Sequence, residues 1–394
     1  MASVPGGETE VDSSLAIFQF STASDIPTDQ RDAAFSEYVL SVRQLLLRKA
    51  FNEAQQVSQR AILLWPERQR PYLHLAQAEI GAQRWSPCIV AARKGRDAQI
   101  DNMAPPALPE ESPAACDYWE GLGFHQTQRY DEALPFLASA AATASDWPEA
   151  QRAHGECAFI LGDFELAGKS YERAFQLDRE VGGVRDLSYY ADAMQTRGDL
   201  EAAMAAIESA LERFPYSPSL HAKLATLYRQ EGSLVEAYYH FTLESLVQGP
   251  RGEFSLKARA AANEIYLQVV DDEDSPHRHE LVLVNKGLNE MSSRNAHDAL
   301  HSLDHVLRIS RTSTAVPHLL LADAQLHAQQ PNKAMQTLDE ALALQPKFVP
   351  AMVMKARALR SLDEAEAAQA LVEEAFALFP AYWKLKPENH RQRG

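Results

Sequence analysis

The chain has 394 residues, 46% of them hydrophobic and 23% charged, which is enough apolar material for a large buried core and too much length for one ordinary compact domain. Asp and Glu number 54 against 38 Lys and Arg, a net charge of -16 that disfavours any extended nucleic-acid or anionic-membrane footprint. The three cysteines, Cys88, Cys116 and Cys157, are odd in number and never at CxxC spacing, so they indicate neither a disulfide framework nor a cysteine zinc site and suit a reduced, cytoplasmic setting.

Residues 1–34 mix Gly, Ser, Asp and Pro with one apolar run, Leu15 to Phe20. Most of this segment is expected to be disordered, with the run packing on the first hairpin or lying along a groove. Glu8, Glu10 and Asp12 stand where a secretion signal would be positive, and no apolar stretch of about 18 residues follows anywhere, so no membrane insertion is expected.

From residue 35 a repeat takes over. Small residues recur at Ala54, Cys88, Ala133, Ala167, Ala203, Ala237, Ala299, Ala334 and Ala368, in steps of 34, 45, 34, 36, 34, 62, 35 and 34. Twelve residues before each anchor stands Val42, Ala76, Gly121, Gly155, Ala191, Ala225, Gly287, Ala322 or Ala356. Seven after it stands Ala61, Gly95, Ala140, Ala174, Ala210, Glu244, Val306, Ala341 or Ala375, and only Glu244 clearly breaks the pattern. Such spacing lets two antiparallel helices, and the next hairpin stacked on them, approach closely. Pro66, Pro215, Pro346 and Pro380 close units after the second helix, and Gly162, Gly198 and Gly232 mark turns inside units.

Two departures follow in chain order. Residues 101–113, "DNMAPPALPEESP", add a proline-rich stretch expected to be an exposed loop or a joint. Residues 252–279 keep one helical stretch and end in the polar run "DDEDSPHRHE", which reads as a degenerate unit that lost a helix. At the C-terminal end, Tyr382 and Trp383 are expected to cap the last apolar face and offer a contact for self-association.

The segments "LGDFELAGKSYERAFQLD", "RGDLEAAMAAIESALERFP" and "PNKAMQTLDEALALQP" resemble the tetratricopeptide repeat over roughly residues 35 to 382. The resemblance implies an all-α protein, a right-handed α-solenoid of about nine helical hairpins whose first helices line a concave groove. Hairpins 1–2 then occupy 35–100, hairpins 3–6 occupy 114–251, hairpins 7–9 occupy 280–382, and 383–394 form a tail.

Catalytic motifs are missing. There is no HExxH, GxGxxG, GxxxxGK[ST] or GxSxG, and no cofactor is indicated. Seven of thirteen histidines fall between His277 and His327, and His297, His301 and His305 recur every fourth residue in "NAHDALHSLDHVL". Ala299 lies two positions from both His297 and His301, which turns that row away from the hairpin partner, and His297 and His305 are about 12 Å apart along a helix, too far to share one ion. They are weak metal candidates on a convex stripe.

The expected groove lining is mixed in the middle of the chain: Tyr118, Trp119, His125, Arg152, Glu156, Phe159, Arg185, Tyr189, Asp192, Lys223 and Arg229. Toward the C-terminal end it is apolar, with Leu281, Val284, Leu288, Met291, Val316, Leu319 and Leu320. The first lining suits an extended peptide and the second an amphipathic helix. Chaperone-binding members of the family hold a C-terminal carboxylate with a lysine, asparagine and arginine set, but here those positions carry residues such as Val39, Arg43, His74 and Ala115, so that clamp is not reproduced. The sequence therefore points to a non-catalytic protein-binding scaffold or adaptor. The competing reading is a regulatory or substrate-recruiting subunit of an enzyme or secretion complex with a weak histidine metal site. Calorimetric titration with zinc and nickel separates the two, since the scaffold reading expects no binding tighter than about millimolar at spacings this wide.

Overall fold

The computed structural model describes residues 19–100, 108–249 and 252–385. Among them are nineteen α-helices and, apart from one isolated bridge between Arg68 and Gln99, no β-structure. None of these helices is long and apolar enough to cross a membrane. The chain divides into two compact units, residues 1–197 and 198–394.

The first unit holds α1 (Arg31–Leu47), α2 (Phe51–Leu64), α3 (Arg70–Gly81), α4 (Trp85–Asp97), α5 (Pro113–Gln126), α6 (Tyr130–Thr143), α7 (Pro148–Ile160), α8 (Phe164–Leu177) and α9 (Val184–Thr196). Helices α1 to α8 pair as consecutive hairpins, and α1, α3, α5, α7 and α9 pack in succession to form one first-helix face. Part of the N-terminal segment is ordered: Ile26 is buried and Phe20 packs beside it on Phe35, Tyr38 and Trp65 of the first hairpin. Residues 15–18 of the expected Leu15–Phe20 run lie outside the described residues.

The second unit holds α10 (Leu200–Arg213), α11 (Leu220–Glu231), α12 (Leu234–Gln248), α13 (Glu253–Asp271), α14 (Arg278–Ser292), α15 (Ala296–Ile309), α16 (Val316–His327), α17 (Pro331–Leu344), α18 (Val349–Ser361) and α19 (Ala365–Leu378). Here α13 is a single helix packed on α12, with no hairpin partner of its own before α14. The unit curls on itself. Tyr216, before α11, accepts from the Val349 N–H at 3.2 Å and stacks flat on Phe379 at 4.7 Å. Tyr382 is buried in the same cluster with Val349, Met352 and Ala375, so it covers the last hairpin and is no surface contact for self-association.

Close helix approach comes from pairing small with large. A Cβ on Gly287 would sit 2.7 Å from Leu303 Cγ, and one on Gly121 would sit 2.8 Å from Leu137. Those leucines lie four residues after their anchors and are buried, as is Tyr171 opposite Gly155. The exception, Glu244, also has a physical reason. Ser219 starts α11 at a φ of 70° and provides no side-chain cap, and the buried Glu244 carboxylate accepts its N–H at 2.8 Å from the neighbouring helix.

The turns share a backbone conformation that composition hides. Five residues before each anchor, the residue has positive φ: Lys49, Gln83, Gln128, Gly162, Gly198, Gly232, Arg294, Gln329 and Asp363, from 56° to 97°. In eight of these turns the following N–H reaches back across the helix end, as in Arg84 to Glu79 O at 2.8 Å and Gln330 to Gln325 O at 2.8 Å. A non-glycine residue in this region costs about 1 kcal/mol. Gln329→Gly should therefore raise stability by about that amount, and Gly232→Gln, whose new Cβ meets nothing within 4 Å, should lower it by a similar amount. Chemical denaturation of both variants reads the sign directly.

Candidate functional site

The first-helix face of the first unit carries two charge clusters. The first is built around Glu111, in a short 3-10 turn (Pro109–Glu111) just before α5. Arg43 of α1 holds this carboxylate in bidentate fashion, with Nε and Nη2 each at 2.7 Å. His74 of α3 donates through Nε2 at 2.9 Å, its Nδ1 lies 2.7 Å from the Tyr38 hydroxyl, and Arg70 Nε is 3.7 Å away. Burial alone would raise the Glu111 pKa, but the hydrogen bonds from Arg43 and His74 outweigh it and hold the group at about 2. Of the stretch 101–113, expected to be an exposed loop or a joint, Leu108 and Pro109 are exposed, whereas Glu111 is only 4% exposed, because three cationic or donor groups from α1 and α3 converge on it. Residues 101–107 lie outside the described residues.

The second cluster joins α5, α7 and α9. Arg152 bridges Asp186 at 3.0 Å and Glu156 at 3.1 Å, and Arg185 meets the other Glu156 oxygen at 2.7 Å. Asp186 also accepts the Gly183 N–H at 2.9 Å, capping α9. His125 is buried 3.8 Å from Glu156, and desolvation lowers its pKa despite that carboxylate. Burial works against the charge on Arg152, yet Asp186 and its neighbours outweigh it and keep the guanidinium charged.

Sequence-predicted groove residues fall into three kinds. Tyr118 and Trp119 are core residues, packed edge-to-face at 4.9 Å, and the Tyr118 ring also meets Trp147 at a tilt, 4.3 Å between centroids. Arg152, Glu156 and His125 form the mostly buried ionic floor. Arg185 is exposed, while Tyr189, stacked on Phe159 at 4.2 Å, and Asp192 are half-buried. In the second unit Lys223 is half-buried and Arg229 is exposed beside Glu264 at 3.4 Å. Of the apolar residues expected to line a groove over α14 and α16, Leu281, Val284 and Leu319 are core residues in one cluster with Tyr238, Tyr239 and Phe241 of α12, and Leu288 packs against it. Tyr239 donates to the buried Glu280 at 2.8 Å, fixing α12 over that face. Leu288 and Leu320 are half-buried and line an open cavity of about 400 Å³ with Tyr238, Tyr266 and Asn285.

The sequence reading missed a cavity of about 530 Å³ in the second unit, walled by α10, α11 and α12 and by the turn leading into α18. His221 and His240 line it with their Nδ1 atoms 3.3 Å apart, beside Tyr228, Leu224 and Phe348. Burial pushes His221 down to about 4 and His240 well below the usual histidine range, so both are neutral and one donates to the other. The row His297, His301 and His305 is exposed on α15, and the His305 ring meets His279 of α14 at 5.1 Å. Among the described residues no three His, Cys, Asp or Glu side chains are arranged to hold a metal ion. The three thiols are buried and each pushed up to about 12, which keeps them protonated and poorly nucleophilic.

The Glu111 cluster carries a pH signature. Its folded pKa of about 2 lies below the ordinary 4.5, so its stabilisation is full above pH 4.5 and is lost as pH falls toward 2. In an acid titration followed by circular dichroism, wild type should lose stability through that window more steeply than Glu111→Gln. At neutral pH the variant should already be about 3 kcal/mol less stable.

Residues 153–181 and 184–227 each match a family model described as tetratricopeptide repeat. No curated protein matches the sequence. Among solved structures, MamA of MSR-1 is 17% identical with a TM-score of 0.35, over 51% of this chain and 97% of that one. The TPR2AB domain of yeast Sti1 in complex with pHSP90 is 18% identical with a TM-score of 0.27, over 59% and 90%. The P58(IPK) TPR domain is 15% identical with a TM-score of 0.27, over 78% and 92%. With likeness this low, the weight rests on the two matched repeats and on the register of small residues and turns that runs through the rest of the chain. By these matches residues 153–181 and 184–227 of the chain are tetratricopeptide repeats.

Proposed function

We propose that this chain is a non-catalytic scaffold that binds an extended protein segment on the first-helix face of its first unit, over α7 and α9. Tetratricopeptide repeats are in general interaction modules and not catalysts. The observation that supports the site is the ionic floor: Glu156 and Asp186 fix Arg152, and Glu156 tethers Arg185, whose side chain stays 64% exposed beside the stacked Tyr189. A guanidinium and a phenol ring already held in place lose little freedom on binding, and both are side chains that concentrate binding energy.

The second unit supports a helix-binding reading less, because Leu281, Val284, Val316 and Leu319 of its first helices are buried in the core. The test therefore targets the first unit and spares the floor. The double variant Arg185→Glu, Tyr189→Ala in the full chain should lower the yield of specifically captured partners by at least about tenfold in affinity purification, with an unchanged unfolding midpoint. Capture at the wild-type level would rule out this face. Arg152 and Trp119 are unsuitable probes, since their loss would damage the fold itself.

A further inference from the structure

The segment Leu108–Ser112 is bound the way a peptide ligand would be. Its one buried side chain, Glu111, is gripped by Arg43 and His74, with Arg70 close behind. Its main chain is read as well: the Trp119 indole N–H donates to the Glu110 carbonyl at 3.2 Å. The remaining residues of the segment contribute little burial, Leu108 being 45% exposed and Pro109 exposed. The attachment is thus concentrated in one carboxylate and one carbonyl, on helices α1, α3 and α5 that belong to the same first-helix face as Arg185 and Tyr189.

Two guanidinium groups and an imidazole converging on one carboxylate form a built anion site. The helices α1 to α4 are closed by their own small-to-large contacts and by the Phe35, Tyr38 and Trp65 cluster. We propose that the first-helix face of α1, α3 and α5 is a carboxylate-anchored peptide site that the chain fills with its own residues 108–112, and that an acidic peptide supplied by another protein takes the same site when this segment leaves. The segment acts as an internal competitor. Because it is joined to α5, its effective concentration is high, and a free peptide gains the site only when Glu111 is lost or released.

This inference rests on the reading of the first-helix face as a peptide-binding surface, but its test uses no natural partner and so can fail independently. The full chain carrying Glu111→Ala is compared with wild type in acetate and in chloride at equal ionic strength. Acetate should raise the unfolding midpoint of the variant in a saturable way and leave wild type unmoved. The capped hexapeptide LPEESP, copying residues 108–113, should bind the variant, and the peptide with Gln in place of the residue matching Glu111 should bind at least about tenfold more weakly, the loss expected for charge-assisted hydrogen bonds. Equal responses to acetate and chloride, or equal binding of the two peptides, would overturn the proposal.

Should Glu111→Ala fail to fold, Glu111→Gln takes its place in the peptide comparison, and wild type itself gives a second reading by hydrogen exchange. The amides of Glu111 and Ser112, bonded to Leu108 and Pro109 carbonyls, should exchange through local opening much faster than the core amides of α1 and α3. Protection equal to that core would show a fixed structural strut, contrary to a displaceable ligand.

Discussion

The distance between the two helices of a hairpin governs which side chains can reach the first-helix face. That distance is set where a glycine or alanine on the first helix meets a leucine or tyrosine on the second, as Gly121 meets Leu137 and Gly287 meets Leu303. A larger first-helix residue would push the pair apart and carry the face residues with it. The positive-φ turn five residues before each anchor fixes the same geometry from the other end.

With that spacing fixed, charge decides what the face can do. In the first unit most acidic face residues have a cation within hydrogen-bond reach, and the desolvation cost of Glu111 and Glu156 is offset by two or more donors each. The result is a rigid floor from which Arg185 and Tyr189 project. In the second unit the positions on α14 and α16 are largely apolar, and Leu281, Val284 and Leu319 are buried in one core with α12. The two units therefore use the same hairpin for different ends: one keeps its first-helix face chemically addressable, and the other spends it on a core with a neutral histidine pair at the edge of a cavity.

The repeat was legible in the sequence because packing needs small residues at fixed spacing, and composition records that need. Much of the turn chemistry was not. Gln83, Gln128 and Gln329 adopt a conformation usually left to glycine at a cost of about 1 kcal/mol, small beside the packing of the flanking helices, so only Gly162, Gly198 and Gly232 announced themselves. Glu244 looked like an error in the pattern because its role as a cap for α11 depends on a neighbouring helix. Glu111 looked like one more polar residue in a proline-rich stretch, and its partner Arg43 lies 68 positions away. Leu281, Val284 and Leu319 had the composition of either a groove or a core. What separated the two was the placement of Tyr238 and Tyr239, which no local pattern reveals.

The central claim is that protein segments meet this chain on the first-helix face of the first unit. A photo-crosslinking amino acid placed at Tyr189, with control positions at the exposed Leu47 and Leu63 of α1 and α2, tests it in the native cell. The account predicts crosslinks to a defined peptide from position 189, with the controls silent. Crosslinks from the control positions alone would contradict it.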